Sequence, residues 1–214
     1  MSDNPETIRR LFAAELQFRL ASAVEIATHA GKQPLDLPIS WSHGKHIVEY
    51  KEIALRPDQA VHAAWHLYQS ATFLMAVAIK DAIKSVISNP KTDSDQNIRD
   101  AYQIARLIRN AFTHSPFHPT WSIDPDCQNC NFEVKDILSL NTTDLHGVAF
   151  DWRQYGGPLA ILRLCQFVRF EILKDSGIKP LERAVPRPKT IYFRQGNLIL
   201  KKTKKLPKGA KRVG

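Results

Sequence analysis

The 214-residue chain is 43% apolar and 24% charged, which suits a globular core and excludes a fibrous or disordered chain. Its net charge of +9 sits at one end: Arg183 to Gly214 holds eleven Lys or Arg and no Asp or Glu, so residues 1–182 set nineteen basic residues against twenty-one acidic ones. Charged residues interrupt every apolar run before it could span a membrane, the N-terminus lacks the pattern of a secretory signal, and three cysteines make no disulfide framework, so a reducing cytoplasm is the expected setting.

The first helix is expected over residues 5–30. Pro5 suits a first helical position and Glu6 the first turn. Ile8, Leu11, Phe12, Leu16, Leu20 and Val24 recur at helical spacing, and Gly31 stops the run. In residues 32–56, Pro34 and Pro38 forbid a continuous helix, Ser42-His43-Gly44-Lys45 reads as a turn, and His46 to Tyr50 reads as extended. Pro57 opens a second helix, to about residue 88, with Val61, Trp65, Tyr68, Thr72, Met75, Ile79, Ala82 and Val86 on one side. Asn89-Pro90 ends it. The third helix is expected over 94–114, with Ser94 as N-cap and Ile98, Ala101, Tyr102, Ala105, Ile108 and Phe112 buried.

Beyond Pro116 the pattern turns to strands. Thr120 to Ile123 and Phe132 to Lys135 alternate across an Asp124 to Asn131 loop, giving a β insert over about 119–140 in which residues 136–140 extend the second strand. Gly156-Gly157-Pro158 opens the fourth helix, 158–176, with Gly177 as its C-cap. In the tail, Gln195-Gly196-Asn197 joins two short apolar runs as a hairpin. The fold class expected is mainly α: an antiparallel four-helix bundle over residues 1–182 with a small β-hairpin appendage, followed by a basic hairpin and tail over 183–214.

The tail attracts polyanions, RNA first among them. Lys201, Lys202, Lys204, Lys205, Lys208, Lys211 and Arg212 are its candidate RNA-binding residues. Cys127-Gln128-Asn129-Cys130 has zinc-knuckle spacing but no second cysteine pair. Asp58, His62 and His66 stand four apart on one helical face without a clear further ligand. No metal and no cofactor is therefore expected. No nucleophile elbow and no phosphate-binding loop is present. The four tryptophans read as core anchors.

The stretch that concentrates chemistry is Arg109-Asn110-Ala111-Phe112-Thr113-His114, where the third helix ends before Ser115-Pro116. Arginine brings a permanent charge and a planar fork of donors that matches phosphate oxygens. Histidine is the side chain that takes and returns protons near neutral pH. Asn110 can orient either by hydrogen bonding. The same residue types at a helix end also serve as plain caps.

Arg109-Asn110-x-x-x-His114 resembles the R-x4-6-H motif of the HEPN (higher eukaryotes and prokaryotes nucleotide-binding) family, in which the residue after the arginine is often Asn, Asp or His. The resemblance implies a metal-independent endoribonuclease that works as a homodimer, with the motifs of both subunits near one cleft. It implies Arg109, Asn110 and His114 as the catalytic set, a setting in bacterial defence or toxin–antitoxin biology, and a protein antitoxin as a partner. Other members have lost catalysis and only bind RNA or nucleotides, which is the alternative expectation. RNA carries its own nucleophile, the 2′-hydroxyl. His114 would act as base towards it or as acid towards the leaving 5′-oxygen, while Arg109 stabilises charge on the phosphoryl oxygens.

Overall fold

The computed structural model describes residues 5–32, 40–49 and 55–177, together with the backbone of 192–194 and 197–199. The chain divides into two units, Met1–Lys179 and Pro180–Gly214. The first is mainly helical, with two small antiparallel hairpins. Its helices are α1 (Pro5–His29), α2 (Pro57–Val86), α3 (Gln96–Thr113) and α4 (Pro158–Phe167). Its strands are β1 (Ser40–His43), β2 (His46–Glu49), β3 (Asn131–Val134) and β4 (Leu138–Asn141). The second unit shows one hairpin, β5 (Tyr192–Arg194) paired with β6 (Asn197–Ile199).

Helix α2 is the centre of the first unit, since α1, α3 and α4 all pack on it. Small residues allow this. Ala64, Ala71, Ala76 and Ala82 are buried along α2 between Tyr68, Met75, Ile79 and Ile83, so neighbouring helices approach from several sides. On α1 the inward face is Leu11, Ala14, Phe18 and Ala21, and Phe18 lies against Tyr68 at 5.2 Å. Phe12, Leu16 and Leu20, which share the α1 spacing, are exposed instead. A close, alanine-lined contact admits only one narrow face of α1.

The middle of α1 and the π turn that follows α4 are joined by charge. Glu15 is 1% exposed and accepts from Arg169 Nη1 at 2.6 Å. Arg169 also reaches Asp175 at 2.6 Å and lies over the Phe12 ring at 4.4 Å. The helix widens to a π turn over Val168–Ile172 where this arginine turns inward. Gly177 is not the C-cap. Lys174, at φ 55°, takes the left-handed position, and the Asp175 N–H closes on the Arg169 carbonyl.

Two further expectations are corrected. The N-cap of α3 is Asp95, one residue after Ser94: its carboxylate accepts from the Asn97 N–H at 2.8 Å, while Asp93 accepts from the Asp95 N–H. The β insert pairs differently as well. Phe132 faces Leu140 and Val134 faces Leu138, so residues 138–141 return as β4 rather than extend β3, with Asp136 at φ 58° in the turn. Thr120 to Ile123 is not a strand of this hairpin, and only the bridge Thr120–Ala149 forms there. Alternation did mark the inward side chains, because Phe132, Val134, Leu138 and Leu140 are all buried.

Polar residues of α3 hold β3 in place. Asp100, 3% exposed, accepts from the Glu133 N–H at 3.0 Å, and Asn97 accepts from the Lys135 N–H at 2.9 Å. An edge strand thus finds its partners on a helix side. Trp121, Phe150, Trp152 and Tyr155 close the core beside α3, with Phe112 against Phe150 at 4.8 Å. The Trp152 indole donates to Thr72 of α2 at 3.1 Å. Trp121 and Trp152 are core anchors as expected, and Trp65 packs on Trp152. The Trp41 side chain lies outside the described residues.

Candidate functional site

Helix α3 delivers the motif. Its last turn buries Leu107, Ile108, Ala111 and Phe112, and the residues between them are left at the edge of the core. Arg109 and Asn110 are half-buried, and His114 is exposed as the C-cap residue at φ −92° and ψ −25°. A helix leaves its last carbonyls without intrahelical donors. Here the Thr120 N–H returns to the Ala111 carbonyl at 3.0 Å and the Thr113 hydroxyl donates to the Arg109 carbonyl at 3.0 Å. The chain therefore folds back at once, and residues 115–119 form a short turn beside His114.

The two arginines of this helix end have opposite surroundings. Arg106 is ion-paired through its terminal nitrogens, although its Nε, like that of Arg109, is buried without a partner. Its guanidinium meets Asp124 at 3.1 Å, Asp126 at 2.9 Å and the Cys127 sulfur at 2.9 Å. Burial works against its charge, but the bonds to Asp126 and Cys127 outweigh that and raise its pKa. Asp126, bonded first by Lys91 at 2.9 Å and then by Arg106, is held at about 2. Burial pushes the Cys127 thiol up, with Arg106 opposing.

Arg109, one turn later, has none of this. No carboxylate and no hydrogen-bond acceptor meets its side chain among the described residues, and its Nε is buried without a partner. A buried donor left unmade costs free energy, commonly about 1–3 kcal/mol. A half-buried cation with unfilled donors is arranged to receive an anion.

Asn110 has a different task from Arg109. Its amide nitrogen donates to Asp124 Oδ2 at 2.9 Å, the oxygen that also meets Arg106. The i,i+4 pair Arg106 and Asn110 thereby clamps the 124–127 turn onto α3. Sequence reasoning missed Arg106 and Asp124. The helical spacing of Arg106 and Asn110 was a readable signal, but their shared partner lies across a loop that no local pattern reveals.

His114 has no hydrogen-bond partner among the described residues, and no hydrogen bond links it to Arg109 there. Three residues on, Phe117 is exposed and packs edge-on against His66 of α2 at 5.2 Å. The structure thus brings His66, and His62 beside it, to the turn that follows His114.

The other candidates separate. Asp58 pairs with Arg56 at 3.4 Å. Cys127 is buried, Cys130 half-buried, and Cys165 lies buried in α4 with its thiol raised by burial. Among the described residues no group of three or more His, Cys, Asp or Glu side chains is placed to hold a metal ion. No described helix is long and apolar enough to cross a membrane. Lys201, Lys202, Lys204, Lys205, Lys208, Lys211 and Arg212 lie outside the described residues. No family model, curated protein or solved structure matches the chain.

Proposed function

We propose that this protein is a metal-independent endoribonuclease of HEPN type, built as an antiparallel four-helix bundle and active as a homodimer. The observation that carries the reading is the Arg109 guanidinium, which meets no carboxylate among the described residues, in the last turn of the helix that ends at the exposed His114, itself without a hydrogen-bond partner among those residues. Arg106, on the same helix, shows what a structural arginine looks like here, and Arg109 departs from it.

In the reaction, the 2′-oxygen of RNA attacks the adjacent phosphorus as a base removes its proton. A 2′,3′-cyclic phosphate forms, and the P–O5′ bond breaks as an acid protonates the leaving oxygen. His114 supplies one of these transfers and His114 of a second copy supplies the other. Arg109 stabilises charge on the non-bridging oxygens, where a positioned donor acts most strongly. Asn110 holds geometry by fixing the 124–127 turn rather than by touching RNA. The tail from Arg183 onward, with eleven basic residues, adds affinity through released counterions. A cytoplasmic role in defence, restrained by a protein antitoxin, accords with such an activity. Purified protein incubated with mixed RNA in excess EDTA tests this. Cleavage leaving 2′,3′-cyclic phosphate ends supports it, and cleavage only after divalent metal is added contradicts it.

A further inference from the structure

Helix α2 carries a second set of nitrogen donors that the proposed reaction does not use. His62 is exposed and His66 half-buried, four residues apart on one face, so their rings meet. Their Nε2 atoms stand 3.1 Å apart, with ring centroids 4.4 Å apart and ring planes near perpendicular at 87°. Gln69, 5% exposed, presents its Oε1 to His66 Nδ1 at 3.0 Å. An amide oxygen only accepts, so Nδ1 carries the proton and the Nε2 lone pair of His66 faces His62.

We propose that His62 and His66 form a binding site for a first-row transition-metal dication, nickel or zinc in class, with solvent filling the remaining positions. A metal–nitrogen bond of about 2.0–2.1 Å at each Nε2, across the observed 3.1 Å, subtends about 98° at the ion, between the right angle of octahedral and the wider angle of tetrahedral coordination. The nitrogens are already spaced for chelation, and rotation about χ2, a soft torsion, converges their lone pairs. Gln69 supplies the outer hydrogen bond that fixes the tautomer of a metal-binding histidine. Asp58, one turn before His62, is exposed and pairs with Arg56 at 3.4 Å. Among the described residues no hydrogen bond or ion pair joins it to either ring, so the two histidines are the ligands the protein gives. The Phe117 edge against His66 limits that ring's swing. The competing account of the same distance is a simple Nε2–H···Nε2 hydrogen bond, which binds no ion.

The site does not rest on the ribonuclease reading, and an EDTA-resistant activity leaves it intact. The test uses tag-free, full-length protein, stripped with EDTA and dialysed, titrated calorimetrically with nickel chloride and then zinc chloride at neutral pH. One ion per chain is expected. His62→Gln and His66→Gln should each weaken binding at least tenfold, and Gln69→Leu should weaken it about tenfold to a hundredfold, the range for lost outer-shell partners. His62 is exposed, so His62→Gln keeps the fold, which an unchanged thermal transition verifies. Titration of His62→Gln indistinguishable from the parent would place the ion on another histidine and overturn the proposal. Absence of binding by the parent would leave the ring–ring hydrogen bond and overturn it equally.

Discussion

Arg106→Met and Arg109→Met remove the same charge from the same helix end, yet the structure assigns them opposite consequences. Methionine keeps the stem and its packing while deleting the guanidinium. At position 106 the change strips Asp124 and Asp126 of a partner and loosens the 124–127 turn. Both carboxylates retain contact with water and Asp126 keeps Lys91, so the loss stays well below that of a fully buried pair. About 1–2 kcal/mol is expected, on the scale of hydrogen bonds to charged groups. For a chain of this size that lowers the melting temperature by roughly 2–8 °C. Each substitution removes one buried unpaired Nε, so that contribution cancels between them, and at position 109 no carboxylate is stranded. Stability should hold within about 0.5 kcal/mol or rise slightly. RNA binding should invert the order, falling for Arg109→Met and holding for Arg106→Met wherever that variant is folded. Urea unfolding at constant slope, paired with binding of a short RNA, reads both. Equal destabilisation by the two substitutions would refute the reasoning, because Arg109 would then be structural.

Arg169→Met should cost about 2–4 kcal/mol in urea unfolding, since the buried Glu15 carboxylate loses its shortest partner and keeps only the longer contacts to Gln166 at 3.4 Å and Arg19 at 3.8 Å; a loss under about 1 kcal/mol would contradict the buried pairing. Asp126→Asn should flatten the acid limb of the stability curve. The Asp126 carboxyl sits at about 2 in the fold and near 4 unfolded, so its pairing stabilises fully above about pH 4 and is lost as pH falls through about 2. Unfolding midpoints between those pH values, parent against variant, measure it, and parallel curves would contradict it.

The helices were legible because their signals are local. Proline at the start of α1, α2 and α4, and period in α2 and α3, placed the first three helices and the start of the fourth within a few residues, whereas α4 ends at Phe167 and passes into a π turn instead of running to residue 176. Which face of α1 turns inward was not legible, because Phe12, Leu16 and Leu20 have the stronger apolar pattern. The choice belongs to the alanine-rich surface of α2. The β3–β4 register was missed for a similar reason: Asp136 in a left-handed turn has no strong sequence mark, and the strand edge is held by Asp100 and Asn97 of α3. At the site, residue types pointed to Arg109 and His114, but only the fold distinguishes an Arg106 paired with Asp124 and Asp126 from an Arg109 that meets no carboxylate among the described residues. The approach of Phe117 to His66 joins residues far apart in sequence and could not be read in advance.

The central claim is that His114 moves a proton during RNA cleavage. One His114→Ala preparation, assayed for RNA cleavage in EDTA and for thermal unfolding, tests it most directly. His114 is exposed and without a hydrogen-bond partner among the described residues, so the variant should melt with the parent. It should keep most of its RNA affinity through Arg109 and the tail, and lose about a hundredfold to ten-thousandfold in cleavage rate. A variant that melts with the parent and cleaves RNA just as fast would contradict the account.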